Sequence, residues 1–461
     1  MGRAWSTLAL VAVAAGLGAY IYFVDAEKTD TEVKAKVFTV AMDDVEELRV
    51  TAKGDTTLLR KANGTWALVE PVATDADAND VNTLLSSLTG LEVNREVDPK
   101  AADLAQFGLA TPKADITFKA KGGVTGRIRL GDATPSGSDL YAVKGDDARV
   151  FLVSTFVETN LARSSFDLRD KRVLRFERDK ADGIELTAAG KPAVTFARTN
   201  SDWRMTAPVN ARGDYGAIEG LLTRLTTTMM TAIETTDISD LKKYGLDKPA
   251  STLAVKAGSA TSTIAVGTTA DGKAYARDLS RPMVFTVDPA FATELLKDAN
   301  DYRRKDLMEF KPFSLKEATF TRGAQAIVLK KARTADNAPD KWTVTADGST
   351  RDADGAQVDE LLSKVGLLRA DAFVATAPAG ATTPLLKVKA AFDESKTEEA
   401  SIGKAGADTF GTRADEPGAL KLPPTALDDV MKALDTLLAP PAPAAPTTPA
   451  AGAAPAPKKP E

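Results

Sequence analysis

Residues 75–80 read Asp75-Ala76-Asp77-Ala78-Asn79-Asp80, which matches the first three oxygen-donor positions of a calcium-binding loop. The match stops there: Asp80 stands where the loop needs glycine, and Ser86 stands where a bidentate glutamate closes the cation's shell. These carboxylates are therefore expected at the start of a helix, where the positive end of the dipole favours them. Residues 131–137, from Gly131-Asp132 to Gly137, could suggest a phosphate cradle. They lack the lysine and the strand-to-helix context of a P-loop, so a hairpin loop is expected. Two mixed-charge runs, Asp170-Lys171-Arg172 and Arg303-Arg304-Lys305-Asp306, admit two readings. One is a basic docking surface for an anionic partner such as phospholipid headgroups or an acidic protein face. The simpler one is a solvated linker whose arginines pair with neighbouring carboxylates.

The chain contains no histidine and no cysteine. Imidazole bases, histidine zinc sites, serine–histidine triads, thiol nucleophiles and disulfides are excluded together. Carboxylate, lysine or tyrosine chemistry is all that remains. A hydrolase acting on envelope glycans would need two acidic residues about 5 to 10 Å apart in a cleft. A net charge of -5 argues against a nucleic-acid surface, which needs a dominant basic face. No residue is assigned a catalytic, cofactor-binding or metal-binding role.

The elements that would position any such group occur three times. Trp66, Trp203 and Trp342 each lie in a strand-like stretch ahead of an amphipathic helix, at a period of roughly 135 to 140 residues. The helices carry Val81, Leu84, Leu85, Leu88, then Ile218, Leu221, Leu222, Leu225, then Val358, Leu361, Leu362, Val365. Asp77, Asp214 and Asp354 precede them as expected N-caps. In the first unit Val45, Leu48 and Val50 alternate, and turns at Lys53-Gly54-Asp55 and Asn63-Gly64 predict an antiparallel meander. A second shared block, Phe107-Gly108-Leu109 with Pro112, matches Tyr244-Gly245-Leu246 with Pro249, whereas the third unit keeps only Pro384. A turn ended by glycine and followed by proline explains the block without a ligand. The tryptophans could form a stacking platform for sugars, but alternating strands beside a helix favour the core.

The ends of the chain are equally legible. From Ala4 to Val24 about twenty residues carry no charge, enough to cross a bilayer core of about 30 Å. Arg3 precedes the run, acidic residues follow it, and Trp5, Tyr20 and Tyr22 suit the two interfaces. An uncleaved anchor is expected, with a signal peptide cleaved near Val24-Asp25-Ala26 as the competing reading. After Leu438 the sequence is rich in Pro and Ala and is expected to be disordered.

The single N-terminal span, the tryptophan strand before a leucine-rich helix, the Phe-Gly-Leu-x-x-Pro block and the Leu-Gly-Asp-x-Thr-Pro-x-Gly turn at Leu130 to Gly137, followed by Tyr141, resemble a known family. It is the bacterial envelope family called domain of unknown function 4340. The resemblance covers residues 38 to about 300 most strongly. It implies a membrane-anchored extracytoplasmic protein, often encoded beside ABC-transporter components of the kind associated with gliding motility. It supplies no catalytic residues.

The sequence thus predicts an α+β protein of three tandem repeats, each an antiparallel sheet plus helices, behind one N-terminal transmembrane helix. The expected boundaries are 1–36 for the anchor and linker, 37–170, 171–305 and 306–438 for the repeats, the last divergent, and 439–461 for the tail. The expected role is a non-enzymatic scaffold or binding protein, single-pass in the cell inner membrane with a cytoplasmic N-terminus and its bulk periplasmic. The expected partner is an inner-membrane protein complex, for which the family resemblance suggests an ABC transporter. The alternative is a carboxylate-based hydrolase or binding module for envelope glycans.

Overall fold

The computed structural model describes residues 34–268, 272–332, 341–393 and 396–440. The expected membrane span and nearly all of the Pro/Ala-rich tail lie outside them. No helix among the described residues is long and apolar enough to cross a membrane. The chain divides into two compact units between Arg172 and Val173.

The first unit begins with four strands in sequence, β1 (Val45–Ala52), β2 (Asp55–Ala62), β3 (Thr65–Glu70) and β4 (Thr74–Asp75). Its two hairpin turns use the expected residues. Lys53-Gly54 and Asn63-Gly64 all take positive φ, the pairing of two left-handed residues that matches the twist of the flanking strands. Helix α1 (Ala78–Thr89) follows, and the chain then runs to the far edge for β5 (Arg95–Asp98). It returns to the centre for β6 (Ala114–Ala120), β7 (Thr125–Ala133), β8 (Asp139–Lys144) and β9 (Val150–Ser154). The result is one antiparallel nine-stranded sheet in the order β4-β3-β2-β1-β6-β7-β8-β9-β5.

One face of the sheet carries the main apolar core, and a smaller apolar cluster covers part of the other. Val81, Leu84, Leu85 and Leu88 of α1 pack on Leu48, Val50, Leu59, Trp66, Ile116, Leu130 and Leu140. Burying a side chain of this kind contributes about 1.5–3 kcal/mol, so the α1 stripe is a principal source of stability. Alternation along β8 places Leu140 and Ala142 in this core and sends Tyr141 and Val143 to the opposite face. There they meet Phe107 and Leu109, with the Phe107 and Tyr141 rings 5.0 Å apart. Two short helices, α2 (Glu158–Leu161) and α3 (Ser165–Leu168), close the unit.

The second unit contains two more nine-stranded antiparallel sheets with the same connectivity. In the second sheet Ala181–Ala188 pairs with Ser251–Ala257 at the centre, and α4 (Tyr215–Thr227) covers the main core. Helix α5 (Pro289–Glu294) closes it, capped by Asp288. In the third sheet Leu315–Arg322 and Leu386–Phe392 take the central positions under α6 (Gly355–Gly366). A short helix, α7 (Ala379–Thr382), precedes the last strands, and α8 (Ala426–Leu438) closes the fold and packs into the same core. The expected divergence of the third repeat therefore does not extend to its topology. Each repeat also docks its leading segment in one way, through Val37 N–H to Leu91, Val173 N–H to Thr228 and Leu307 N–H to Leu368 carbonyls at 2.8–3.1 Å.

Candidate functional site

The carboxylates near residue 75 do structural work. Asp77 accepts from the backbone N–H groups of Asn79 and Asp80, as Asp214 does from Ala217 and Asp354 from Gln357. Asp80 pairs with Lys171 at 3.0 Å and lies 3.6 Å from Arg163. Among the described residues no group of three acidic side chains is placed to hold a metal ion. The three repeat tryptophans are buried, at 8%, 3% and 4% exposure, and Trp203 donates to Glu219 at 2.9 Å.

Residues 131–137 run from the end of β7 into the turn before β8, and Gly131 is explained by packing. A methyl group on Gly131 would fall 2.1 Å from the carbonyl oxygen of Phe107, and one on Gly267 would fall 2.4 Å from that of Tyr244. The Phe-Gly-Leu block and the Leu-Gly-Asp turn are therefore two halves of one close backbone contact. In the third repeat Gly380 stands four residues before Pro384, as Gly108 does before Pro112. A methyl group on Gly380 would fall 2.2 Å from the Lys404 carbonyl oxygen, and one on Gly403 would fall 3.0 Å from that of Gly380. The expectation that only Pro384 survives there is corrected: the glycine contact persists, and only its apolar neighbours have become Ala379 and Ala381. The Gly-x-x-x-Pro spacing alone would have revealed it.

A second repeated device is invisible in sequence because its residue type varies. Lys144 donates to the Val37 carbonyl at 2.7 Å, Arg281 to Val173 at 2.9 Å and Arg413 to Leu307 at 3.0 Å. Each cation comes from the end of the same strand or just beyond it and clamps the segment that opens its own repeat. Arg413 is also held by Glu398 at 2.8 Å and by Asp415 at 2.9 Å. Burial alone would lower its pKa, yet the two carboxylates outweigh burial and hold the guanidinium above its ordinary value.

Arginines of the two mixed-charge runs pair with neighbouring carboxylates, Arg172 with Asp170 and Arg304 with Asp306, but each run also buries one charged residue. Asp170 is buried and receives a fork from Arg172 with contacts down to 2.6 Å. In the second unit Arg303 is buried between the second and third sheets together with Arg212 and Glu416. Arg212 lies on the edge strand Ala211–Arg212, and Glu416 lies in the turn after Asp408–Arg413. Arg212 Nε donates to Glu416 Oε1, Nη1 to Glu309 at 3.1 Å and Nη2 to the Asp306 carbonyl at 2.9 Å. Arg303 Nη2 stands 3.6 Å from Glu416 Oε2, and its guanidinium lies 3.9 Å from the centroid of the Phe373 ring. Burial, opposed by Glu416, pushes the Arg303 pKa below its ordinary value.

A cleft of about 380 Å³ opens beside Arg303. Leu186, Val194 and Val209 wall it from the second repeat, and Phe373 and Val374 wall it from the third. There a buried charge meets apolar walls.

No curated protein matches this sequence. Among solved structures, the DNA polymerase sliding clamp from Pseudomonas aeruginosa aligns with 84% of this chain and 92% of its own at 10% identity, with a TM-score of 0.16. The same clamp with a ligand aligns with 83% and 92% at 10% identity and a TM-score of 0.15. Superposition that poor carries no argument about fold or function. The family described as "Domain of unknown function (DUF4340)" matches residues 66–202 and 203–388, a span that takes in the three repeat tryptophans, the capped helices and the glycine contacts of the first two repeats. On that match the chain belongs to the DUF4340 family.

Proposed function

We propose that this chain is a membrane-anchored extracytoplasmic scaffold or binding protein that acts without catalysis as an accessory subunit of an ABC-type transport complex in the cell inner membrane. The charge-free run from Ala4 to Val24 supplies the anchor, with Arg3 on the cytoplasmic side and the repeats on the periplasmic side. One observation carries the reading: the features repeated in all three sheets are helix caps, core stripes, glycine contacts and leading-segment clamps. Each maintains a shape. Repeating a shape without a reacting group suits a protein that presents surfaces to partners.

The test is copurification from mild detergent with the intact protein as bait. Stoichiometric recovery of an inner-membrane transporter is the expected result, and repeated recovery of the protein alone would count against the complex. A periplasm-active reporter fused after residue 440 should be active if the orientation is right. An inactive one reverses it.

A further inference from the structure

We propose that the cleft between the second and third sheets binds a small organic monocarboxylate with an aliphatic tail, the carboxylate on Arg303 and the tail against Leu186, Val194, Val209 and Val374. The inference rests on the second unit alone and needs neither the anchor nor the transporter partner. It begins with a shortage of hydrogen-bond acceptors. Two guanidiniums, Arg212 and Arg303, are buried against one buried carboxylate, Glu416. Arg212 donates to that carboxylate's Oε1 and finds further acceptors in Glu309 and the Asp306 carbonyl. Arg303 is left with an ion pair at 3.6 Å, beyond hydrogen-bonding distance.

Arg303 is 4% exposed, and its Nε and Nη2 atoms are buried without a hydrogen-bond partner. A buried N–H with no acceptor is costly, so a native structure normally supplies one. Nε and Nη2 form one edge of the guanidinium, the edge whose two parallel N–H bonds match the two oxygens of a carboxylate. The Phe373 ring at 3.9 Å fixes the plane in which that edge lies.

The surroundings select the rest of the ligand. The volume of about 380 Å³ is within the range of small-molecule pockets, and the walls are mostly apolar. Lys191 and Lys297 also line the cleft, but Lys191 is paired with Asp298 at 2.6 Å and Lys297 with Glu294 at 2.5 Å. Arg303 is thus the one cation of the cleft with N–H groups that lack acceptors, which suits a single carboxylate. A phosphate dianion would enter an apolar cleft with most of its charge uncompensated.

Titration calorimetry of the full-length protein in detergent, with hexanoate as ligand and hexanol as the neutral control, tests the proposal. The expected result is saturable hexanoate binding, with hexanol weaker by at least about tenfold, the loss expected when a charge-assisted hydrogen bond is removed. Arg303→Met should weaken hexanoate by a similar factor. Val209→Trp, which fills the cleft without touching Arg212 or Glu416, should abolish binding while preserving the thermal transition. Should Arg303→Met fail to fold, Val209→Trp decides the matter. Absence of saturable binding, equal affinity for hexanol, or unchanged binding in folded Val209→Trp would each overturn the assignment.

Discussion

The backbone at Gly131 lies so close to Phe107 that a methyl group on Gly131 would fall 2.1 Å from the Phe107 carbonyl oxygen. Both partners are backbone, so neither can swing aside. Gly131→Ala should therefore destabilise the first unit by at least about 2 kcal/mol, as overpacking of a close contact does. The midpoint of urea unfolding measures it. Gly220 is the matched control: it lies exposed in α4 with nothing within 4 Å of an added methyl group. Gly220→Ala should stabilise by about 0.5 to 1 kcal/mol through helix propensity. Equal effects at the two positions would refute the close-contact account.

Glu416→Gln keeps the shape of the side chain and removes its charge. Arg212 and Arg303 would then remain buried with their common counter-ion gone. Breaking a buried pair from one side costs about 3–5 kcal/mol, and the surviving Arg212 contact to Glu309 places the expected loss near the lower end. Thermal unfolding should show the loss in the transition of the second unit. A shift confined to the first unit would contradict it.

Asp167 gives the first unit a defined acid response. Burial would raise its pKa, but the Ser164 backbone N–H and side chain and the Lys53 ammonium outweigh burial and lower it to about 2. A depressed carboxylate pKa contributes stability that is present above the unfolded value of about 3.9 and is lost as pH falls through the folded value. The contribution near neutral pH is about 2 kcal/mol. Asp167→Asn should lower stability by that amount near neutral pH, and the gap between the two proteins should close near pH 2. A gap that persists in acid would show that shape rather than charge is responsible.

The tryptophans can be read by fluorescence. In a Trp5→Phe background, Trp66, Trp203 and Trp342 should emit at short wavelength and resist iodide quenching, because all three are buried. Efficient quenching would expose a stacking platform instead.

These positions also show what was legible beforehand. Asp77, Asp214 and Asp354 were readable as caps because capping depends on local spacing. Lys53-Gly54 and Asn63-Gly64 were readable as turns because positive φ restricts residue choice. The crossing of the chain to β5 was not legible, since a four-residue edge strand carries almost no periodic signal. Lys144, Arg281 and Arg413 were missed because any long cation can reach a carbonyl. The Arg303–Glu416 pair joins residues more than a hundred positions apart, and the charged run at 303–306 looks solvated until Glu416 is brought against Arg303.

The outermost strands of every sheet are short: two and four residues in the first and in the second, five and three in the third. The long strands, whose unpaired amides would attract other chains, are all interior. A polypeptide that makes the same sheet three times risks exchanging strands between copies, within one molecule or between crowded neighbours. Brief margins deny such an exchange its template, so the same architecture can be multiplied along a single chain at little risk of aggregation.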